Sequence, residues 1–368
     1  MFWYEKKAEG KDVCVSTRVR LARNLKDFPF KARLTDEKAA EIVNKLFDIY
    51  KDQENYTVTT MQDIGRIDAE SLAERHYISR DFAKSTSPRL LVRDDSRDIA
   101  IMVGEEDHLR IQCIKNGYAL EEAFRATMEE EAFLDSRLDF AFSESLGYLT
   151  HCPTNLGTAL RISVMMHLPA LTAAGRMEAL TQQLQKIGVT VRGLYGEGSR
   201  ADAALYQISN QVTMGITEEE TLRKMSKIIG QIADTERAMR TSYDEETSER
   251  LLDRAQRSEG ILRTARLVSS AEFLSLYNAA RLGCMIGNTS SLTPELLDSL
   301  LFAVMPATME LAGYRDTATT LPKEMQRDKN RAVLIQKTIA AYGKGGTKKT
   351  RSTPSDKERK SKKTPDEA

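Results

Sequence analysis

The residues best suited to chemistry are arginines spaced as a strand would space them. In Ser16-Thr17-Arg18-Val19-Arg20-Leu21-Ala22-Arg23, an extended chain points Val19 and Leu21 to one side and Arg18 and Arg20 to the other. Two guanidinium forks side by side suit a polyphosphate; a solvated edge strand would show the same alternation. In Arg161-Ile-Ser-Val-Met-Met-His-Leu168 the residues Ile162, Val164, Met166 and Leu168 form an apolar face. Arg161, Ser163, Met165 and His167 share the other face, and His167 taken alone reads as structural.

Three further segments carry polar groups at strand ends or in tight loops. Glu105-Glu106-Asp107 follows the apolar run 99–103 and precedes 109–113, where Arg110 and Gln112 would share a face. Clustered carboxylates raise one another's pKa and need cations nearby or open solvent. Val191-Arg192-Gly193-Leu194-Tyr195-Gly196-Glu197-Gly198-Ser199 has three glycines, which permit close backbone approach to a ligand, with Glu197 held between two of them. It is neither GxGxxG nor a Walker sequence. His151-Cys152-Pro-Thr-Asn-Leu-Gly-Thr158 is a loop by composition. Its cysteine is either a small buried thiol or, among cations, a reactive one.

These segments need a scaffold. The 368 residues fit two domains and a tail. Up to about residue 243, strand and helix patterns mix: Ala39, Ile42, Val43, Leu46, Phe47 and Tyr50 fall at helical spacing, and Thr217 with Glu220 forms a capping box before Leu222, Met225, Ile228, Ile229 and Ile232. Beyond it the pattern is helical, with candidates at 245–257, 270–282, 294–304 and 324–342. Residues 343–368 carry five more basic than acidic residues and almost nothing apolar, so a disordered, solubilising tail is expected. The body is correspondingly acidic by five, which gives no case for nucleic-acid binding. No apolar run reaches the ~20 residues of a membrane span, and no secretory signal opens the chain. Four scattered cysteines, none in a CxxC pair, and four histidines give no zinc site or disulfide framework. The expectation is a cytoplasmic protein.

Together the segments resemble the phosphagen (guanidino) kinases, the ATP:guanido phosphotransferases. STRVRLAR (16–23), EEDHLRI (105–111), GYLTHCPTNLGTALRISV (147–164) and VRGLYGEGS (191–199) stand in that family's order. Within it the chain is similar to the bacterial protein-arginine kinases. Only fifteen residues precede Ser16, where the metabolite kinases carry a helical domain. Gly198 and Met165 stand where those kinases usually have His, and Arg327-Asp328-Lys-Asn-Arg331-Ala332 matches an RDxxRA motif that forms a phosphoarginine pocket. One departure is Gly104, where the family usually has Asn.

The resemblance implies an α+β fold: an antiparallel sheet flanked by helices over 1–243, then a smaller all-helical domain over 244–342. It implies ATP with Mg²⁺ held by phosphates and water rather than by direct protein ligands. Glu106 becomes the catalytic base, Glu197 a second carboxylate on the acceptor guanidinium, and Cys152 the active-site thiol. Ser16, Thr17, Arg18, Val19, Arg20, His76, Arg110, Arg161, Ile162, Ser163, Val164, Met165, Arg192, Gly193, Leu194, Tyr195, Gly196 and Glu197 would line the ATP site. Glu105 and Asp107 would reach the Mg²⁺ shell indirectly. Arg327, Asp328, Arg331 and Ala332 would form the phosphoarginine pocket. Family analogy adds protein substrates bearing arginine, a homodimer, a zinc-binding activator protein and a Clp-type protease in quality control and stress. A kinase of free arginine or another small guanidino compound stays open, as does an inactive phosphoarginine-binding adaptor.

Overall fold

The computed structural model describes residues 1–193, 202–287, 292–314 and 320–346. Its strands are β1 (Cys14–Arg23), β2 (Thr57–Thr60), β3 (Leu90–Asp94), β4 (Ile99–Val103), β5 (Leu109–Asn116), β6 (Phe142–Ser143), β7 (Gly147–Tyr148), β8 (Leu160–His167), β9 (Val189–Gly193) and β10 (Leu205–Asn210). Eight of them make one sheet in the order β2-β3-β4-β5-β1-β8-β10-β9, and every neighbouring pair is antiparallel. β6 and β7 form a separate hairpin.

The helices before residue 243 are α1 (Asp36–Tyr50), α2 (Arg66–Glu74), α3 (Arg80–Lys84), α4 (Leu120–Asp135), α5 (Pro169–Ala173), α6 (Met177–Lys186) and α7 (Glu218–Thr241). Those after it are α8 (Glu245–Thr264), α9 (Ser270–Ile286), α10 (Pro294–Ala303), α11 (Pro306–Leu311) and α12 (Lys323–Gly346). Side-chain caps mark most of the long helices: Thr35, Thr217, Asp244, Ser269 and Thr293 each accept from the third residue on. Thr217 and Glu220 form the expected capping box. In α1 the residues Ala39, Ile42, Leu46 and Tyr50 are buried, whereas Phe47 is exposed at the edge of the apolar stripe.

Strand alternation divides the sheet into two faces. Val19, Leu21, Ile111, Ile162, Val164 and Ile208 point into a core shared with apolar residues of α1, α4 and α7. The opposite face is split. Toward one end Met102, Ile114, Met165 and Leu205 join a second core with Trp3, Tyr277 and Phe302, which binds the C-terminal helices to the sheet. Toward the other end that face carries arginines.

Candidate active site

β1 lies at the centre of the sheet, so its outward arginines meet partners from both sides. Arg20 sits opposite Gln112 on β5 and Arg161 on β8, and Arg18 sits opposite Ile114 and Ser163. Ala22 faces Arg110, and on the far side Gln207 faces Met165 on β8 and Arg192 on β9. A cavity of about 370 Å³ is lined by Arg20, Glu106, Arg110, Cys152, Arg161 and Arg192. Beside it a cavity of about 90 Å³ is lined by Ser16, Arg18, His76, Ser163, Met165 and Gln207.

The cations press on one another. Burial, then the charge of Arg110, pushes Arg18 down to about 10. Arg20 is driven far below the ordinary guanidinium range by Arg18, then by burial, Arg110 and Arg161. Its Nε is buried and meets no hydrogen-bond acceptor among the described residues. Arg161 is lowered mainly by burial. Its fork is aimed by the carbonyls of Thr154, Asn210 and Gln211 and by Asn155 Oδ1. Like charges held together at low dielectric repel strongly, and a multivalent anion relieves that repulsion. His76 has φ +64°, with its backbone carbonyl held by Gln112 Nε2 at 2.9 Å. Burial and then Arg18 push its imidazole down to about 3, so it stays neutral.

The acidic turn divides its three carboxylates among three tasks. The turn closes through Gly104 N–H to the His108 carbonyl at 2.8 Å. Gly104 takes φ +88°, and a Cβ there would stand 2.9 Å from the Pro88 carbonyl oxygen, so glycine suits this backbone. Glu105 accepts from Arg110 at 2.7 Å and from the Glu106 backbone N–H at 2.6 Å. Glu106 reaches into the large cavity, 3.6 Å from Arg110 Nη2, with its side chain 39% exposed. Asp107 turns inward. Its Oδ1 accepts from Asn24 Nδ2 and from the His151 backbone N–H, each at 2.7 Å. Asp107, expected to act on a metal shell indirectly, is buried and brackets the loop that carries Cys152.

That loop is a single 3₁₀ turn at Pro153–Asn155 with Cys152 just before it. Thr213 Oγ1 donates to the carbonyls of Thr154 and Leu156 and holds the loop from the other side. Cys152 is half-buried, 3.1 Å from Thr154 Oγ1, and faces the same cavity as Glu106.

Several expected residues are placed elsewhere. Thr17, Val19, Ile162 and Val164 alternate with the cavity-lining residues and point to the opposite face, fully buried or nearly so; Thr17 Oγ1 donates to the Gly117 carbonyl. They are scaffold, because a contiguous strand can show a ligand only every second side chain. Gly193 ends β9 at the rim of the cleft. Leu194, Tyr195, Gly196 and Glu197 lie outside the described residues. Arg327, Asp328, Arg331 and Ala332 sit on α12: Arg327 is exposed, Ala332 buried, and Arg331 pairs with Asp328 at 2.8 Å. Arg331 is buried and also donates to the Val268 carbonyl at 2.8 Å, so the pair is a bracket between helices rather than a surface ion pair. Sequence reading missed Asn155, Thr190, Gln207, Ser209 and Gln211, all at the cavities. The alternation of Gln207 and Ser209 with Tyr206 and Ile208 was the available signal.

The arrangement can grip a multivalent anion and present a carboxylate and a thiol at one end of it. The family profile described as ATP:guanido phosphotransferase, C-terminal catalytic domain, matches residues 37–239, and that described as Protein-arginine kinase McsB C-terminal domain matches 248–352. A protein-arginine kinase of Syntrophomonas wolfei is 38% identical over 345 residues, covering 92% of this chain and 94% of that protein. One of Bacillus subtilis is 33% identical over 342 residues, covering 92% and 93%. Among solved structures, the duplicated taurocyamine kinase of Schistosoma mansoni with bound transition-state-analogue components superposes with a TM-score of 0.55 at 24% identity. It matches 62% of this chain, which spans only 33% of that one. Lombricine kinase gives a TM-score of 0.55 at 20% identity, covering 66% and 71%. At such identities the structures speak for the fold alone; the full-length relatives and the two profiles carry the assignment. The chain belongs to the ATP:guanido phosphotransferase family, among its protein-arginine kinases.

Proposed function

We infer that this enzyme transfers the γ-phosphoryl group of MgATP to the guanidinium of arginine side chains in proteins. The observation that carries this reading is the convergence of Arg18, Arg20, Arg110, Arg161, Arg192 and Glu106 on one cleft, in a chain whose relatives over nearly its full length are protein-arginine kinases. The arginines bind the triphosphate and offset charge on the phosphoryl group in transit. Guanidinium is protonated at physiological pH and therefore a poor nucleophile. Glu106 orients it and takes up its proton as the N–P bond forms. Glu197 is assigned the second contact to the guanidinium by its motif, and Cys152 lies beside the reacting nitrogen. Mg²⁺ enters on the nucleotide's own oxygens, since the side chains gathered around the phosphates are cationic.

The reading extends to a catalytic part over 1–243, a helical part over 244–342, a basic tail beyond it and a cytoplasmic homodimer. It also extends to a phosphoarginine response through Asp328 and Arg331, a zinc-binding activator and a Clp-type protease acting in stress and quality control. Family membership supports these. The α12 pair supports the response, since a phosphoarginine guanidinium would compete with Arg331 for Asp328.

The decisive experiment incubates the enzyme with MgATP and either a mixed protein extract or free arginine. Acid-labile phosphate on protein, read as phosphoarginine by mass spectrometry, is expected. Phosphorylation of free arginine alone would restrict the activity to small guanidino compounds, and absence of ADP would remove the kinase reading.

A further inference from the structure

A groove of about 380 Å³ lies outside the catalytic cavity and takes no part in the phosphoryl transfer described above. Its walls include Phe142, Glu144 and Leu146 on the β6–β7 hairpin and Met214, Ile216 and Glu218 at the approach to α7. Phe142 is 58% exposed, Leu146 41% and Met214 55%. Large apolar side chains gathered in solvent on one groove mark an interaction surface. The hairpin is held in this attitude from beneath. The buried Arg23 guanidinium lies 3.3 Å from the centroid of the Tyr148 ring, and Tyr148 Oη donates to Glu131 at 3.0 Å. The Phe142 ring meets Tyr148 edge-on at 5.2 Å and still faces solvent. The apolar residues are thus presented by a fixed support, which lowers the ordering cost of binding.

The groove and the catalytic cavity share no lining residue, but they lie against the same two stretches of chain. Cys152, Thr154 and Asn155 line the cavity, and Gly157 and Thr158 line the groove. Gln211 lines the cavity, and Thr213 and Met214 line the groove. These layers touch. The Tyr148 N–H donates to the Gly157 carbonyl at 2.8 Å, and the Thr158 N–H to the Thr213 carbonyl at 2.9 Å. A Cβ on Gly157 would stand 2.2 Å from that Thr213 oxygen. Cys152 and Gly157 are five residues apart in sequence, which puts their Cα atoms at most ~18 Å apart.

Charge narrows the occupant. Among the described residues that line the groove are Glu144, Glu218 and Glu220 and no lysine or arginine. Glu220 is partly engaged, accepting from the Thr217 N–H at 2.9 Å, and Glu218 shares the first turn of α7 with it. Glu144, at the hairpin tip, belongs to no helix. An apolar floor with an acidic rim suits a chain that carries apolar and basic residues together. A second copy of this acidic body matches it poorly, and the basic stretch 343–368 has the charge but almost nothing apolar.

We propose that this groove docks the polypeptide that bears the acceptor arginine, taking apolar and basic residues within about five positions of it. The proposal rests on the protein-arginine kinase reading and deepens it by naming what flanks the arginine. It is tested with two synthetic peptides that each hold a single arginine, flanked in one by leucine and lysine and in the other by serine, in a coupled ADP assay. The wild type should show a KM about tenfold lower for the first peptide, with similar kcat for both. Phe142→Ser and Met214→Ser, on opposite walls, should each remove most of that difference and leave kcat and KM for the serine-flanked peptide as they were. Glu144→Lys should weaken the lysine-bearing peptide and favour a third in which glutamate replaces lysine. Should Phe142→Ser unfold early, Met214→Ser decides the matter. Equal KM values for the first two peptides in the wild type overturn the proposal, as do variants that raise both alike, which would mean only a disturbed Cys152 loop. A wild-type chain that phosphorylates neither peptide would instead remove the protein-kinase reading beneath it.

Discussion

Two groups of buried cations in this molecule behave in opposite ways. In the cleft, Arg18 and Arg20 crowd against Arg110 and Arg161, and their pKa values fall. At the junction with the helical region Arg281 is wholly buried, yet its pKa is raised. Burial alone would lower it, but Asp298 and Tyr277 outweigh that. Asp298 accepts from Arg281 Nε at 2.9 Å and Tyr277 Oη at 2.7 Å, and pairs with Lys11 at 3.0 Å. Arg281 also donates to the Lys11 carbonyl at 2.6 Å and meets His167 Nδ1 at 3.1 Å. In one cluster a carboxylate touches both cations directly and knits the N-terminal segment, β8, α9 and α10 together. Among the described residues, the other gathers cations against one another with few carboxylates between them, an arrangement suited to an anionic ligand. Burial of arginine is common to both, so direct contact with a carboxylate is what separates them.

The largest effect should come from Glu106, which among the described residues reaches the cleft with only a loose 3.6 Å contact to Arg110. Glu106→Gln is expected to lower turnover by about 10²–10⁴-fold while MgATP affinity stays near wild type, read by a coupled ADP assay and by calorimetry. A near wild-type rate would place the proton elsewhere. Next comes the cluster around Asp298. Asp298→Ala leaves Arg281 and Lys11 as uncompensated buried cations and should cost about 3–5 kcal/mol of unfolding free energy, measured by denaturant titration. A loss below about 1 kcal/mol would mean that the two clusters do not differ as described.

The matching substitution in the cleft should behave in reverse. Arg18→Met removes repulsion as well as a phosphate contact. Unfolding free energy should hold or rise, while MgATP affinity falls by about ten- to a hundredfold. A variant that is destabilised and still binds MgATP would reverse the contrast.

The smallest effect is in pH. His76 is held neutral, with a pKa of about 3, and His167 is pushed far down by burial and by Arg281 and Arg240. Below about pH 6.5 the unfolded chain binds protons that the folded one refuses. Stability is therefore full above that pH and declines below it, by roughly 1.4 kcal/mol per pH unit for each such histidine. His76→Gln should flatten the slope by one such share in unfolding titrations run between about pH 7 and pH 5. An unchanged slope would show that His76 protonates in the folded chain.

Much of this was legible in advance because its causes are local. Alternation in 16–23 and 161–168 separates arginines from core residues whatever the sheet order, and the cap at Thr217 depends on Glu220, three positions away. The legible part also misled where a contiguous motif was read as a contiguous site: Thr17, Val19, Ile162 and Val164 belong to the motif and to the core. The three carboxylates at 105–107 look equivalent in sequence. They part only because Arg110, the cavity and the His151 amide lie in three directions from one turn.

By itself, then, the sequence determined which side chains share a strand face, where helices begin, and that guanidinium and carboxylate groups recur at strand ends. Those properties follow from the two-residue and 3.6-residue periods of the backbone. Only the tertiary structure decided which arginine neighbours which, that Asp107 serves a loop and Glu106 the cleft, and that Arg281 meets a carboxylate while Arg20 Nε meets no acceptor among the described residues. The protonation and role of a buried group depend on charges a few ångströms away, and in a sheet ordered β5-β1-β8-β10 those charges come from distant stretches of chain.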